Sequence, residues 1–564
     1  MSASPRWDSI GLERFAYLVL IGLAVLLGVG TCLAFYPAAF PQYTEPFAEL
    51  LAAPGIATSA LISLTAGLVT PAISLATVFL FLAATQWNRF GRWLSQLAAP
   101  VLAIPHAAAA FGIVLLLSPT GVVSRGLAGL LRWQTPPDVL FPNDALGLAY
   151  ILGLTIKEIP FLLFVALSLI PSLDSPRRIA LARSLGYSPV LAWLLVVAPA
   201  LYRLIRLPLF AVIVFASSAI DVALILGPSL PPTLGVRLLE WFSTPALGAR
   251  ELAAAAAALQ LAVTLTALTL WLLLEKLVTL LYHHLGARGF QNRLTQVAEA
   301  GLRILGLGLL PLGLLVSFGG LATLALASVA AGWRYPALLP LQLTGESWAQ
   351  ALQTLSAPLA NALLIAIASV VLAVLITVLL LETLSQRRWF ARYATALLSL
   401  PLLIPQLIFL SGLVLLLEKI GKQPAIAPVV AGHCFYVLPY VFLTLRTAYL
   451  ELDSRWMNLA TTLGASKARR FFKVRLPLLS SALLTSTMLG AAISLSLYLP
   501  TQLLGAGRVP TITTEAIALV SSGERAAIGT WAILQAVVPL FFYALALSLP
   551  HFLWAQRKGM RKGL

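Results

Sequence analysis

Residues 180–201 read ALARSLGYSPVLAWLLVVAPAL, and residues 458–479 read NLATTLGASKARRFFKVRLPLL. Each stretch has a helix-forming run, a glycine, a second amphipathic run and, thirteen residues after the glycine, a proline. Glycine tolerates the backbone conformation that turns the chain at the end of a helix, and proline is best accommodated in the first turn of a new helix. The two stretches therefore predict the same element twice, a short helix held between two longer ones.

Apolar runs of membrane-spanning length surround both stretches. Of the 564 residues, 60% are hydrophobic and 10% are charged, and the mean hydropathy is +0.94. Soluble domains carry about 25% charged residues. Runs such as 16–35 and 363–381 reach the roughly 20 residues that a helix needs to cross a bilayer. The composition is that of a protein embedded in lipid, and the run lengths favour helices over the short alternating strands of an outer-membrane barrel.

The apolar runs predict an all-α polytopic membrane protein with about twelve transmembrane helices. The predicted spans lie near 15–35, 57–83, 96–117, 146–170, 206–228, 251–281, 303–331, 358–382, 394–418, 428–449, 478–499 and 526–553. Six of them fall in a first half, residues 1–282, and six in a second half, residues 303–564. Residues 283–302 are predicted to form a cytoplasmic linker between the halves.

The two halves are a direct repeat. Matching residues occur in the same order in both: Pro105 and Pro405, Gly112 and Gly412, Gly186 and Gly464, Pro199 and Pro477. Because each half has an even number of predicted helices, both have the same orientation and are related by a pseudo-two-fold axis along the membrane normal. We expect any pore to lie on that axis.

Lysine and arginine residues cluster in the loops on one side of the predicted helices. They include Arg14, Arg92, Arg178, Arg392, Lys467 and Arg475. Such a bias marks the cytoplasmic side, which predicts that both termini lie in the cytoplasm. The net charge of +17 comes from these loop clusters, so we expect no nucleic-acid partner. Cys32 and Cys434 lie within apolar runs, and we predict neither a disulfide framework nor a metal site.

The repeated stretches resemble the coupling loops of the permease subunits of binding-protein-dependent (type I) ABC importers, whose motif is Glu-Ala-Ala, then Gly, then Leu-Pro. The matching residues are Ala182, Leu185, Gly186 and Pro199 in the loop 171–205, and Ala460, Leu463, Gly464, Ala465, Phe471 and Pro477 in the loop 450–477. Both copies depart at the glutamate, which is replaced by Ala180 and Asn458. The double-length plan is similar to that of the ferric-iron and thiamine permeases and of the uncharacterised Ynj-type permease.

The resemblance implies a transport subunit in the bacterial inner (cytoplasmic) membrane, without enzymatic activity of its own. In that family, two ATP-binding cassette subunits, usually two copies of one protein, dock on the short helices and bind ATP and Mg²⁺. No GxxxxGK[ST] phosphate-binding loop occurs in the sequence, and we expect no cofactor on this chain. A periplasmic substrate-binding protein is implied on the outer side. Basic residues would orient the docking of the second short helix: Lys467, Arg469, Arg470 and Lys473.

Four charged residues within or near the apolar runs are candidates for the translocation path: Lys157, Glu158, Asp221 and Arg446. A charge is costly in lipid and is expected to face the interior of the helix bundle or a cavity. The alternatives are that these residues only fix helix packing or extend to the membrane surface. Their repeat counterparts are uncharged, Tyr436 opposite Lys157 and Leu499 opposite Asp221, which predicts an asymmetric path. His106 and His433 are interpreted as core residues.

An ion-coupled secondary transporter is the alternative function. It too can consist of two parallel six-helix halves. Such transporters have their long cytoplasmic segment between the halves, whereas the long loops of this sequence lie within each half. A membrane enzyme would need convergent acids, a nucleophile or metal ligands, and the apolar runs show no such group.

Overall fold

A computed structural model describes residues 7–36, 44–86, 88–246, 248–286, 293–384 and 388–553. Within these ranges the regular elements are helices and one antiparallel pair of two-residue strands. This confirms the predicted all-α class.

The first half begins with a long helix and ends with a longer one. Its helices are α1 Trp7–Phe35, α2 Thr44–Ala52, α3 Ile56–Thr85, α4 Arg89–Ala103, α5 His106–Leu117, α6 Val122–Leu131, α7 Leu148–Leu169, α8 Ser175–Ser184, α9 Pro189–Ala192, α10 Ala198–Ser218, α11 Asp221–Leu226, α12 Leu234–Ser243 and α13 Ala249–Gly286. A π-helical turn, Trp193–Val197, joins α9 to α10.

The second half repeats this order. Its helices are α14 Arg293–Ser328, α15 Glu346–Thr354, α16 Ser356–Leu384, α17 Arg388–Ser399, α18 Gln406–Lys419, α19 Ile426–Glu451, α20 Ser454–Thr462, α21 Lys467–Arg470, α22 Leu476–Leu478, α23 Ser480–Ser496, α24 Leu499–Gly505, α25 Ile512–Ala518 and α26 Arg525–Leu553. The strands β1 Ala330–Ala331 and β2 Gln342–Leu343 pair between α14 and α15. A π-helical turn, Phe471–Arg475, joins α21 to α22.

Ten helices in the described ranges are long and apolar enough to cross a membrane, and two bent pairs bring the number to as many as twelve. One pair, Tyr393–Leu402 with Gln406–Lys419, is bent by 93°, and the other, Lys467–Leu478 with Ser480–Ser496, by 70°. These helices confirm the polytopic architecture predicted from the apolar runs.

Three predicted spans are wrong as continuous helices. One is the span predicted at 394–418, which contains the 93° bend between Tyr393–Leu402 and Gln406–Lys419. The span predicted at 96–117 is divided into α4 and α5, because Pro105 has no N–H to donate and biases the residue before it toward extended backbone; Ile104 has ψ 129°. The span predicted at 206–228 ends at Ser218. There the hydroxyls of Ser217 and Ser218 both donate to the carbonyl of Val214, a local pairing that competes with the continuation of a helix.

The predicted linker 283–302 is helical at every residue that the structure describes. Residues 283–286 extend α13, and residues 293–302 belong to α14. Residues 287–292 lie outside the described ranges.

The first helix of each half packs against the opposite half. α1 contacts α18, and α14 contacts α3 and α5. The largest apolar cluster accordingly contains residues of both halves, including Phe111, Tyr150, Phe409 and Phe435. The halves therefore share a core and do not pack as separate domains.

Glycines allow these two crossings to be close. A Cβ at Gly412 in α18 would lie 1.7 Å from the carbonyl oxygen of Gly30 in α1. At the related crossing, a Cβ at Gly112 in α5 would lie 3.0 Å from the backbone of Gly320 in α14. Small residues let membrane helices approach until their backbones touch. The recurrence of Gly112 and Gly412 in the repeat thus has a packing cause.

The halves are also joined through a buried arginine. Arg125 in α6 is 2% exposed, and its guanidinium donates to the carbonyls of Arg334 at 2.8 Å and Ala337 at 2.7 Å. It lies 4.9 Å from the centroid of the Trp333 ring, an arrangement that favours a cation–π interaction. The segment after β1 is thereby fixed to the first half.

We expect Gly412→Ala to lower the free energy of unfolding by about 1–3 kcal/mol, because the added methyl group overlaps the α1 backbone and must separate the helices. Thermal unfolding of the purified protein in detergent measures this loss. The matched control is Gly28→Ala in α1, where a Cβ meets no atom within 4 Å. Equal melting temperatures for the two variants would contradict the close crossing.

Candidate coupling loops and translocation path

The first predicted coupling loop turns at Gly186, which has φ +88°. The N–H of Tyr187 donates to the carbonyl of Ala182 at 3.3 Å, the bond expected where a glycine in the left-handed conformation closes a helix. The Ser188 hydroxyl then accepts from the N–H of Leu191 at 3.4 Å. That side-chain cap begins α9.

The second predicted coupling loop has the same construction. Gly464 has φ +76°, and the N–H of Ala465 donates to the carbonyl of Ala460 at 3.0 Å. The Ser466 hydroxyl accepts from the N–H of Arg469 at 3.3 Å and begins α21. Glycine turn and serine cap therefore occupy equivalent positions in both halves.

Each short helix continues through a π-helical turn toward the repeated proline. The turns Trp193–Val197 and Phe471–Arg475 precede Pro199 and Pro477. A proline removes the donor for the carbonyl four residues earlier, and in the first half that carbonyl belongs to Leu195. The hydroxyl of Tyr282 in α13 donates to it at 2.8 Å. The widened turn and this side chain together accommodate the proline within an almost continuous helix.

The leucine before each glycine is exposed, whereas the alanine three residues earlier is buried. Leu185 is 62% and Leu463 77% exposed, while Ala182 and Ala460 are buried. Further large apolar side chains are exposed nearby: Leu181, Trp456, Leu459 and Phe472. Gly186 and Gly464 are exposed, and the remaining predicted coupling residues are half-buried: Pro199, Ala465, Phe471 and Pro477. The geometry suits a partner protein, but the role of these residues stays a prediction.

The two short helices differ in how they contact their own half. In the first loop the side chains of Val190, Ala192 and Trp193 are buried, and the Trp193 ring packs edge-on against Phe79 of α3. In the second loop no residue of Lys467–Leu478, all of which the structure describes, is buried. The same backbone design is therefore anchored differently in the two halves.

The fifth transmembrane helix of the first half breaks inside the bundle. α10 ends at Ser218, Ala219 is extended, and α11 begins at Asp221. The Tyr150 hydroxyl lies 3.0 Å from the carbonyl oxygen of Ala216 and 3.1 Å from that of Ala219. Broken helices at membrane depth need such partners, because lipid offers none.

The second half breaks at the equivalent point, after α23, where Leu497 is extended. His433 is 2% exposed; its Nδ1 lies 2.8 Å from Ser494 Oγ and its Nε2 2.8 Å from Thr501 Oγ1. It thus bridges the two sides of the break. The Thr513 hydroxyl donates to the carbonyl of Leu495 at 2.8 Å. These contacts agree with the interpretation of His433 as a core residue.

Lys157 belongs to a third break. It is 3% exposed, and its ammonium donates to the carbonyls of Val101, at 2.6 Å, and Ile104. These carbonyls lie at the interruption between α4 and α5. In the second half, the Tyr436 hydroxyl donates to the carbonyl of Gln406 at 3.4 Å. The contacts give Lys157 a structural role in addition to its predicted place in the path.

Glu158 and Asp221 lie where the halves meet. Glu158 is 6% exposed, and its Oε1 is 3.4 Å from His106 Nε2. It is also within electrostatic range of Tyr440 in the second half. Asp221 is within range of His106 and of Tyr498, again in the second half. The structure thus groups these two acids around His106.

Arg446 lies outside this group. It is half-buried near one end of α19, six residues beyond Tyr440. Six helical residues correspond to about 9 Å along the axis. The structure does not bring Arg446 together with the two acids, and its place in the path stays a prediction.

Comparison with known proteins identifies the family. Residues 370–553 match the model of the binding-protein-dependent transport system inner membrane component. The chain is 32% identical over 486 residues to the inner membrane ABC transporter permease protein YnjC of Escherichia coli (strain K12), in an alignment that covers 84% of each protein. The chain belongs to this family of ABC transporter permeases. The resemblance inferred from the two loops is confirmed, and the protein is a multi-pass transport subunit of the inner membrane.

A shorter similarity concerns a second permease. The chain is 32% identical over 81 residues to the spermidine/putrescine transport system permease protein PotB of Haemophilus influenzae (strain ATCC 51907 / DSM 11121 / KW20 / Rd). That alignment covers 14% of this permease and 28% of the relative. This short similarity supports membership of the permease family and does not indicate a substrate.

Sequence patterns did not reveal the residues that pair with the helix breaks. Tyr150, His433 and Thr513 are polar residues within apolar helices, and their partners are far away along the chain. A polar side chain at membrane depth was the available signal. The carbonyl or hydroxyl that each side chain contacts could be identified only after the break itself was located.

We expect Lys157→Met to lower the free energy of unfolding of the permease by about 2 kcal/mol, because two buried carbonyls lose their donor. The midpoint of thermal unfolding in detergent measures the effect. Glu158→Gln is the matched control, since its amide can still hydrogen bond to His106. If Lys157→Met melts at the same temperature as this control, the structural role of the lysine is refuted.

Proposed function

We propose that this permease forms the solute path of an ATP-driven importer and is coupled through two cytoplasmic loops to separate ATP-binding subunits. The observation that carries the proposal is the shared construction of the loops. Each has a glycine with positive φ, a serine cap two residues later and a π-helical turn before the proline. An ordinary basic cytoplasmic loop, without a docking role, does not require any of these three features in both halves.

The exposed side chains of the loops favour a protein partner over solvent. A docking helix buries apolar residues at its centre and leaves charged residues at the rim. Leu463 and Phe472 are 77% and 64% exposed, and Lys467, Arg469 and Lys473 are exposed around them. Because the loops lie on the side where basic residues concentrate, the partner is cytoplasmic. In this account both termini of the permease are cytoplasmic as well.

Two loops imply two ATP-binding subunits, and the repeat favours two copies of one protein. ATP and Mg²⁺ are bound by those subunits. A periplasmic substrate-binding protein delivers the solute to the outer surface. Closure of the ATP-binding subunits moves the two loops, and the shared core of the halves converts this movement into alternating access.

Within the permease, Glu158 and Asp221 are the residues that we assign to the solute path. They lie beside helix breaks, and a tyrosine of the opposite half lies within electrostatic range of each, Tyr440 of Glu158 and Tyr498 of Asp221. Substrate sites of transporters commonly lie at such interrupted helices between repeats. Both acids belong to the first half, so the path is asymmetric, as the uncharged counterparts in the repeat predict.

We expect Gly186→Arg with Gly464→Arg to abolish retention of the ATP-binding subunit while the permease remains inserted in the membrane. An added Cβ at Gly464 meets no atom of the permease within 4 Å, so the new side chain projects into the docking surface. The measurement is the amount of ATP-binding subunit that copurifies with the tagged permease from its native membrane.

Gly421→Arg is the matched control for backbone strain. Gly421 also has positive φ, +69°, and open space at its Cβ, but it lies between α18 and α19, outside the loops. We expect this variant to retain the ATP-binding subunit. Normal retention by the double variant would refute the assignment of the coupling loops.

A further inference from the structure

The second coupling loop is tied to the transmembrane helices by one polar group of three side chains, which we call the cytoplasmic joint: Glu382, Tyr449 and Arg475. Glu382 belongs to α16, Tyr449 to α19, and Arg475 ends the π-helical turn of the loop. The joint therefore connects the loop to two transmembrane helices at once.

The contacts within the joint are mutual. Arg475 Nη1 donates to the Tyr449 hydroxyl oxygen at 2.7 Å and to Glu382 Oε2, and the Tyr449 hydroxyl donates to the same Glu382 oxygen. The Arg475 guanidinium also lies 5.1 Å from the centroid of the Tyr449 ring. The side chains of Arg475 and Glu382 are 18% and 28% exposed, and Tyr449 is buried. Partial burial strengthens such a charged hydrogen-bond network relative to a surface ion pair.

The first half has an apolar version of the same joint. The repeat aligns Leu82 with Glu382, Ile170 with Tyr449 and Val197 with Arg475. Leu82 and Val197 are 2% and 0% exposed, and Ile170 packs against the cluster that contains them. One loop is thus fixed to its half by apolar packing and the other by an ion pair at equivalent positions.

The cytoplasmic joint contributes more to holding its loop than the apolar counterpart does in the first half, because the rest of the second loop makes few contacts with the transmembrane helices. None of the residues Lys467–Leu478 is buried, whereas α9 of the first half packs on α3 and its Pro189 carbonyl accepts from Gln86 Nε2 at 2.7 Å. A force on the second loop can reach α16 and α19 through few contacts in the described chain. The charged joint is one of them, and it joins the loop to both helices at once.

We propose that Glu382, Tyr449 and Arg475 are positioning residues that transmit movement of the second coupling loop to α16 and α19. The inference rests on the proposed function, since it presupposes an ATP-binding subunit that moves the loop. Breaking a partly buried ion pair leaves an uncompensated charge, whereas replacing the whole group by packed apolar residues is commonly tolerated. The apolar residues at the equivalent positions of the first half, Leu82, Ile170 and Val197, are therefore the replacement that we expect the second half to tolerate.

The test compares Arg475→Val with the triple variant Glu382→Leu/Tyr449→Ile/Arg475→Val, which copies the first half. The complex with the copurifying ATP-binding subunit carries nitroxide labels at Leu204→Cys and Leu372→Cys, in a background of Cys32→Ser and Cys434→Ser. Leu204 and Leu372 are 43% and 44% exposed and lie in α10 and α16. The readouts are retention of the ATP-binding subunit, the rate of ATP hydrolysis, and the change in label distance on adding ATP and Mg²⁺.

We expect Arg475→Val to retain the ATP-binding subunit and hydrolyse ATP while the ATP-induced distance change falls to less than about half. The triple variant is expected to recover most of that change. A merely structural role would lower retention and hydrolysis in parallel with movement. If the triple variant does not fold, the reversed pair Glu382→Arg/Arg475→Glu provides the second test of recovery.

Full movement in Arg475→Val would overturn the proposal, and so would a loss that neither a folded triple variant nor the folded reversed pair recovers. Failure of the proposed function is distinguishable from both results. In that case the labelled permease with Arg475 and Glu382 intact would itself purify without an ATP-binding subunit.

Discussion

Lipid offers no hydrogen-bond partner, so every interruption of a membrane helix must be paired by the protein itself. This constraint organises the interior of the permease. Tyr150 pairs with the break in the fifth helix of the first half, His433 and Thr513 pair with the equivalent break in the second, and Lys157 pairs with the break between α4 and α5. Because these breaks adjoin Glu158 and Asp221, the polar interior where the halves meet depends on the same side chains.

The two halves share a backbone plan and differ in its chemistry. Glycine crossings, helix breaks and the two loops proposed for coupling recur at equivalent positions. The charged side chains near them do not: Glu158 and Asp221, the acids proposed for the solute path, occur in the first half, and the charged joint at Glu382 occurs in the second. A fused chain can diverge in this way because each half needs to complement only the other.

The sequence predicted the features that arise from local composition and spacing. The apolar runs predicted the polytopic helical fold, and the repeated glycines and prolines predicted where the loops turn. The breaks at Ile104 and Ala219 were missed. A long apolar run predicts a membrane span, but it does not reveal a helix break whose backbone groups bond to residues far away along the chain. Arg475 was recognised as a basic loop residue, but its pairing with Glu382 and Tyr449 depends on tertiary contacts between separate helices.

Native mass spectrometry of the permease, extracted from its own membrane with surrounding lipid, tests most directly whether the permease is coupled to two ATP-binding subunits. We expect a complex of one permease with two ATP-binding subunits, which separates into its components when the proposed coupling loops are altered. A permease that appears alone, and whose uptake activity in membrane vesicles responds to an ion gradient and not to ATP, would refute coupling to ATP-binding subunits and favour an ion-coupled transporter.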